Sequence, residues 1–151
     1  MTVIYDVPPE LLIFRLKEYL KNEIKIESPA WCEYVKTGVH KERAPTQNDW
    51  WWIRSASIMR KLYFQSPIGI SKLAAEYGGK KNNGSAPSHT AKGSRSIISE
   101  IFKQLEEKGL VTKYKNRGRI LTPAGVKIIN NLSHQVLSEL SKENPELKKY
   151  M

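Results

Sequence analysis

The sequence predicts a mainly α protein, a helical bundle arranged around one central amphipathic helix with a single short β-hairpin. Three observations carry this expectation. Apolar residues recur at helical spacing from Leu12 to Leu140. Only one pair of strand-like runs, Leu110 to Lys115 and Gly118 to Thr122, interrupts them. The chain has 151 residues, 40% of them hydrophobic, about one domain in length and enough to bury roughly two-thirds of its unfolded surface.

Pro8, Pro9 and Glu10 open the first helix, because proline at a helix start loses no hydrogen bond and a carboxylate meets the positive helix end. Leu12, Leu16 and Leu20 then share one face, with Ile13 beside them. Ser28 and Pro29 begin a second, short helix with Trp31 and Val35 on its apolar stripe, stopped by Gly38. After a polar loop from His40 to Asn48, Asp49 is expected to cap the central helix, 50–65. Trp52, Ala56, Met59 and Tyr63 form its main apolar face, flanked by Ile53 and Phe64 on one side and by Trp51, Ile58 and Leu62 on the other. Arg54, Ser57, Lys61 and Gln65 leave one narrow polar window, with Arg60 on the shoulder of the apolar face.

A short helix entered at Ile70 or Ser71 ends at Gly78, and residues 79–93 read as a long basic loop without periodicity. Ser94 to Lys108 is a further amphipathic helix, with Ile97, Ile101 and Leu105 in register and Gly109 as its stop. The hairpin over 110–122 turns through Asn116-Arg117-Gly118, where Asn and Gly tolerate positive φ. Thr122 and Pro123 start a last helix running to about Leu140, and 141–151 is a charged tail. Helix, turn, helix, hairpin, helix is winged-helix-like order, preceded by three extra helices. The expected organisation is a single domain, 1–151, with N-terminal helices in 1–65 and the winged-helix-like part in 68–140.

The net charge of +10 is not spread evenly. Residues 1–40 carry five basic and six acidic side chains, 41–119 sixteen against six, and 120–151 four against three. A segregated positive surface attracts polyanions by its summed potential and by releasing their counterions. No apolar run approaches the ~20 residues of a membrane span, and Met1 to Asp6 lacks the plan of a signal peptide. The one cysteine, Cys32, permits neither an internal disulfide nor a cysteine cluster. The expectation is a cytoplasmic protein that does not engage membranes.

Catalytic patterns are missing. His40, His89 and His134 are scattered, the only two aspartates, Asp6 and Asp49, read as helix caps, and no zinc, dinucleotide or phosphate-loop spacing occurs. The expectation is a non-enzyme with no cofactor and no metal. For nucleic acid, Lys80, Lys81, His89, Lys92 and Arg95 are separated by small residues whose backbone N–H groups can approach phosphate. The hairpin adds Lys113 and Lys115 on one strand face by period two, Arg117 at the tip and Arg119 on the return. Arg54 and Lys61 share the window of the central helix. Arg60 either pairs with a carboxylate or contacts RNA, and His89 either meets phosphate or holds its loop together. In the run Trp50-Trp51-Trp52, helical spacing points most of the indole surface into the core, with Trp50 the exception. The would-be recognition helix presents Ser99, Glu100, Lys103, Glu106 and Glu107, a surface that repels phosphate. Structured RNA, recognised by shape and backbone, is favoured over a winged-helix DNA-binding regulator.

The stretch W-x₃-R-x₂-S-x₂-R-x-L-Y, beginning at Trp50, precedes Y-G-G-x₃-N-G-x₂-P-S-H-x₃-G-S-[KR]-S, from Tyr77 to Ser96. In these motifs, and over nearly its whole length, the chain resembles the small-subunit ribosomal protein family S-nineteen-e of archaea and eukaryotes. The resemblance implies a winged-helix-like protein bound to ribosomal RNA in the head of the small subunit and needed for that subunit's maturation, with ribosomal proteins as neighbours. It also implies that Arg54, Arg60, Lys61, Lys80, Lys81, His89 and Arg95 form the functional surface. The Ile- and Lys-rich composition leans towards an archaeal member, and the free chain is expected to be a monomer.

Overall fold

A computed structural model describes residues 3–150; expectations resting on Met1, Thr2 and Met151 lie outside them. The elements are α1 (Pro9–Asn22), α2 (Trp50–Gln65), α3 (Ile70–Glu76), β1 (Gly79–Asn83), β2 (Ala86–Ala91), α4 (Arg95–Glu107), β3 (Val111–Lys113), β4 (Arg119–Leu121) and α5 (Pro123–Glu143). The architecture is mainly α and winged-helix-like, as the element order predicts. Residues 79–93, however, are not a loop. They fold into a second antiparallel hairpin, so the described residues hold two separate two-stranded sheets, β1-β2 and β3-β4.

The central helix α2 packs against α1, β4 and α5, while α4 lies on α3 and β3. It buries Trp51, Ser55, Ala56, Ile58, Met59 and Leu62. The core is completed by Leu12, Leu16 and Leu20 of α1, Ile97, Ile98, Ile101, Phe102 and Leu105 of α4, and Ile129, Val136 and Leu137 of α5. The deepest indole is Trp51, 1% exposed, rather than Trp52. Trp51 donates its Nε1 hydrogen to Gln104 Oε1 at 3.0 Å, and Gln104 in turn donates to the Glu27 carbonyl at 2.8 Å. Trp31 and Trp50 each stand edge-on to Trp51, with ring centroids 5.5 Å away. Trp52 lies half-buried at the margin, bonding the Ile26 carbonyl through Nε1 at 2.7 Å under the Lys21 ammonium. Periodicity assigns faces but leaves open which of two adjacent indoles the neighbours enclose.

Three other expectations change. The second helix contracts to a single 3-10 turn, Ala30–Glu33. Neither aspartate is a side-chain cap: the residue before α1 is Pro8, and Asp49 makes no cap bond at α2. Asp49 instead accepts from the buried Lys17 ammonium at 2.8 Å, joining α1 to the start of α2. The last helix continues to Glu143, and much of the expected tail is a 3-10 turn, Pro145–Tyr150. The short helix α3 begins at Ile70, one of the two expected entry residues, following Gly69 and without a side-chain cap. The caps at Ser94 and Thr122 are as expected, accepting from Ile97 N–H and Gly125 N–H.

Two outcomes test this packing. Trp51→Ala should cost about 3–5 kcal/mol in urea unfolding, and Trp52→Ala distinctly less, because only Trp51 leaves an enclosed cavity; the reverse order would move the core. The Lys17 ion pair is first among the causes that hold Asp49 below the usual carboxylate range. Its stabilisation is therefore present at neutral pH and is lost as pH falls through that depressed value. Asp49→Asn should lower stability at pH 7, with a difference that shrinks as pH drops below about 4, readable in melts across pH.

Candidate nucleic-acid interface

The polar window of α2 is covered by the end of α3. The Tyr77 and Ser57 hydroxyls share a 2.6 Å hydrogen bond. The Arg54 guanidinium carbon stands 4.0 Å from the Tyr77 ring centroid, and Lys61 pairs with Glu76 at 2.5 Å. Burial pulls the Arg54 guanidinium below its ordinary value, opposed by Tyr77, and pushes the Tyr77 phenol up, opposed by Ser57 and Arg54. The stripe is thus a docking seam as well as a half-exposed surface. Arg60 has no carboxylate partner among the described residues. Its guanidinium lies 4.6 Å from the Phe64 ring centroid, and its Nε is buried without an acceptor.

The β1-β2 ribbon begins two residues after Tyr77. Gly84 and Ser85 form its two-residue tip, with Gly84 at φ +74° in the first central position, as a type II′ turn requires. This Gly-Ser pair is the signal by which the hairpin was legible, although flanking runs so rich in Lys, Asn and Ser mask strand periodicity. Lys81 faces His89 across the ribbon and Lys80 faces Thr90, so successive lysines point to opposite faces. Lys80, Lys81, His89, Lys92 and Arg95 are all exposed, and none forms an ion pair among the described residues.

In the second hairpin, Lys113 ends β3, but Lys115 lies in the turn with φ +46°, not on the same strand face. The positive φ falls on Lys115 and Gly118 rather than on Asn116. Gly118 is required on a second count: a Cβ there would approach the Ile68 carbonyl oxygen to 2.5 Å. Lys113, Lys115 and Arg117 are exposed. Arg119 is turned inward, donating to Glu106 at 2.9 Å with its guanidinium carbon 5.0 Å from the Phe102 ring centroid.

Short α3 organises both hairpins. Ile68, just before it, exchanges backbone hydrogen bonds with Arg119 at 3.0 and 3.1 Å, and Gly79 starts the ribbon just after it. Seven residues of helix span roughly 10 Å, so one basic hairpin is rooted near each end of α3. The sequence reading missed His40, for which no pattern gave a signal. Its ring lies against Gly38 and Gly79, its Nδ1 is buried without a partner, and burial, Lys41 and Arg54, in that order, lower its pKa.

Chemically, the arrangement suits anion binding. No group of three His, Cys, Asp or Glu side chains that could hold a metal ion occurs among the described residues. Burial, with a smaller push from Glu33, raises the Cys32 thiol to about 11, which leaves it protonated and unreactive at neutral pH. No described helix is long and apolar enough to cross a membrane.

Comparison with known proteins follows the same line. The sequence model of the family described as "Ribosomal protein S19e" matches residues 3–139. The chain is 46% identical over 148 residues to "Small ribosomal subunit protein eS19" of Aeropyrum pernix, covering 97% of each chain. It is 42% identical to the Thermoplasma acidophilum protein of the same name over 100% of both chains. Against "Small ribosomal subunit protein eS19A" of Schizosaccharomyces pombe it is 35% identical over 91% of this chain and 95% of the relative.

The geometry separates structural from free cations. Arg119→Ala should cost about 1–3 kcal/mol, from the loss of a charged hydrogen bond and a cation–π contact, whereas Arg117→Ala should leave the melting temperature within a degree or so. Equal effects in thermal melts would contradict the inward placement of Arg119.

Proposed function

Because the chain belongs to the ribosomal protein S19e family, whose members are structural constituents rather than enzymes, we propose that it is a component of the small ribosomal subunit that binds ribosomal RNA in the subunit head. It supports maturation of that subunit and translation, in the cytoplasm, among neighbouring ribosomal proteins, and is a monomer when free. It acts as one domain spanning 1–151.

The observation that carries this reading is the set of exposed basic side chains on the two hairpins and their roots, Lys80, Lys81, His89, Lys92 and Arg95 together with Lys113, Lys115 and Arg117. Long cationic side chains on protruding ribbons suit the phosphate ridges of folded RNA, which is read by shape and backbone. Arg54, Arg60 and Lys61 contribute from the half-exposed side of α2, and Arg119 adds positive potential while holding its hairpin to α4. A DNA-reading alternative is opposed by α4, whose outward face carries the exposed Glu107 and the half-exposed Glu100.

Native protein should co-sediment with small subunits or their precursors, and a free pool bound to duplex DNA would overturn the reading. Replacing Lys80, Lys81, Lys92 and Arg95 together with alanine should weaken binding to a small-subunit ribosomal RNA transcript and flatten its salt dependence by up to about four in slope. The melting temperature should hardly move. Loss of fold with intact affinity per folded molecule would make those residues structural.

A further inference from the structure

Between the ribbon and the segment that precedes the polar loop runs a cleft lined by Val35, Lys36, Gly38, Val39, Lys81, Lys92, Gly93 and Ser94. Its two walls come from parts of the chain more than forty residues apart. One is the neutral N-terminal quarter, to which neither the charge distribution nor the motifs assign a binding role. The walls are locked together: Gly38 and Gly93 form an isolated antiparallel bridge, Ser94 N–H donates to the Thr37 carbonyl at 3.0 Å, and Gly93 N–H donates to the Ala74 carbonyl at 2.8 Å. His40 wedges against the same root, since a Cβ on Gly38 would come within 2.7 Å of its ring and one on Gly79 within 3.0 Å. Gly79 and Lys81 share a ribbon face by period two, so the face bearing Lys81 and His89 is the one turned towards this segment.

Three features of the cleft select a ligand. Lys36, Lys81 and Lys92 supply three exposed ammonium groups, no carboxylate lines the cleft, and none of the three lysines is ion-paired among the described residues. Val39, 62% exposed, and half-buried Val35 add an apolar wall; Tyr34, adjoining Val35 in the chain, is 82% exposed. The glycine bridge between the walls is held by close packing, since a Cβ on Gly38 would meet the His40 ring at 2.7 Å and one on Gly93 the Tyr77 carbonyl oxygen at 3.0 Å. An anion alone would not use the apolar wall, and an apolar ligand alone would not use the lysines. A nucleotide turned out of its stack presents both, a phosphate and a flat, weakly polar base.

We propose that this cleft holds an unstacked nucleotide of the bound RNA, its phosphate among Lys36, Lys81 and Lys92 and its base against Val39 and Val35. The inference rests on the ribosomal RNA reading above and extends the surface that reading uses, from Lys81 and Lys92 to Lys36, Val35 and Val39. Because the backbone around the cleft is already locked, binding there orders few new groups.

The test uses the full chain and a small-subunit ribosomal RNA transcript carrying 4-thiouridine and 6-thioguanosine. Photocrosslinking should join RNA to the peptide containing residues 34–39 as well as to the ribbon. Lys36→Ala should lower the salt slope by about one, and Val39→Glu should weaken binding about tenfold or more by placing a carboxylate where base and phosphate lie. Neither substitution should change the far-ultraviolet spectrum or the melting temperature. If both variants bind as the wild type does while Lys80→Ala and Lys115→Ala weaken binding, the cleft proposal falls and the ribosomal RNA reading stands. If the unaltered chain binds the transcript no better than an unrelated RNA, both fall. A cleft whose amide resonances shift with an acidic peptide but not with the transcript would belong to a protein partner, which also overturns the proposal.

Discussion

The seam between α2 and the end of α3 is the contact on which the rest of the surface depends. Tyr77 bonds Ser57 and lies under Arg54, and Glu76 pairs with Lys61. A seven-residue helix has little stability of its own. Its orientation comes from this seam and from Leu73 and Ala74, which it buries in the core. Since Gly79 follows at once and Ile68 precedes, fixing α3 on α2 fixes the roots of both hairpins. The half-polar character of the central helix has a physical reason here: an all-apolar α2 would bury more surface but would offer no directional contact to set α3.

The positive charge divides into two populations. Lys17, Lys61 and Arg119 sit beside Asp49, Glu76 and Glu106, each largely or partly removed from water. They tie α1 to α2, α3 to α2 and β4 to α4. A second group, Lys80, Lys81, Lys92, Arg95, Lys113, Lys115 and Arg117, stands exposed on the two hairpins and their roots without an ion pair among the described residues. Like charges spread over thin, solvated ribbons repel one another through water, where each pair at 4 Å costs only about 1 kcal/mol or less. The fold thereby carries a strong positive field with little strain on its packed centre. This separation also explains why α4, second helix of the winged-helix order, is scaffold: Ile97, Ile101 and Leu105 are buried and Glu106 is occupied by Arg119.

Much of this was readable from residue order. The starts of α1, α2, α3, α4 and α5, the β3-β4 hairpin and the caps at Ser94 and Thr122 follow from periodicity and local chemistry. What escaped depends on tertiary context. Which of Trp51 and Trp52 lies deeper is decided by Gln104 and Trp31, far away in sequence. Asp49 has the right residue type and position for a cap, yet the ammonium of Lys17 competes for its carboxylate more strongly than backbone N–H groups do. The β1-β2 ribbon lacks alternating apolar residues because neither of its faces is buried, so the period-two signal is absent and only the Gly84-Ser85 tip speaks for it. For the interface, the residue types and the region were legible. The inward turn of Arg119, the seam that covers Lys61 and the role of His40 were not, because each depends on a partner brought near by folding.

The β1-β2 ribbon has one more consequence, which concerns encounter rather than contact. Five or six strand residues extend roughly 17–20 Å, and nearly every side chain along the ribbon is exposed. Screening at physiological salt confines electrostatic attraction to a shell of about 8 Å around a charge. Lys80 and Lys81 stand at the root of the ribbon, one and two residues from Gly79, and the stretch beyond them, 82–88, carries no charged side chain. The attracting shell therefore lies close to the body, and the outer ribbon reaches past it as a neutral arm of small and amide side chains. A polyanion is drawn in by the charged root, while the tip meets it by shape alone, so attraction and fit depend on different parts of the same ribbon.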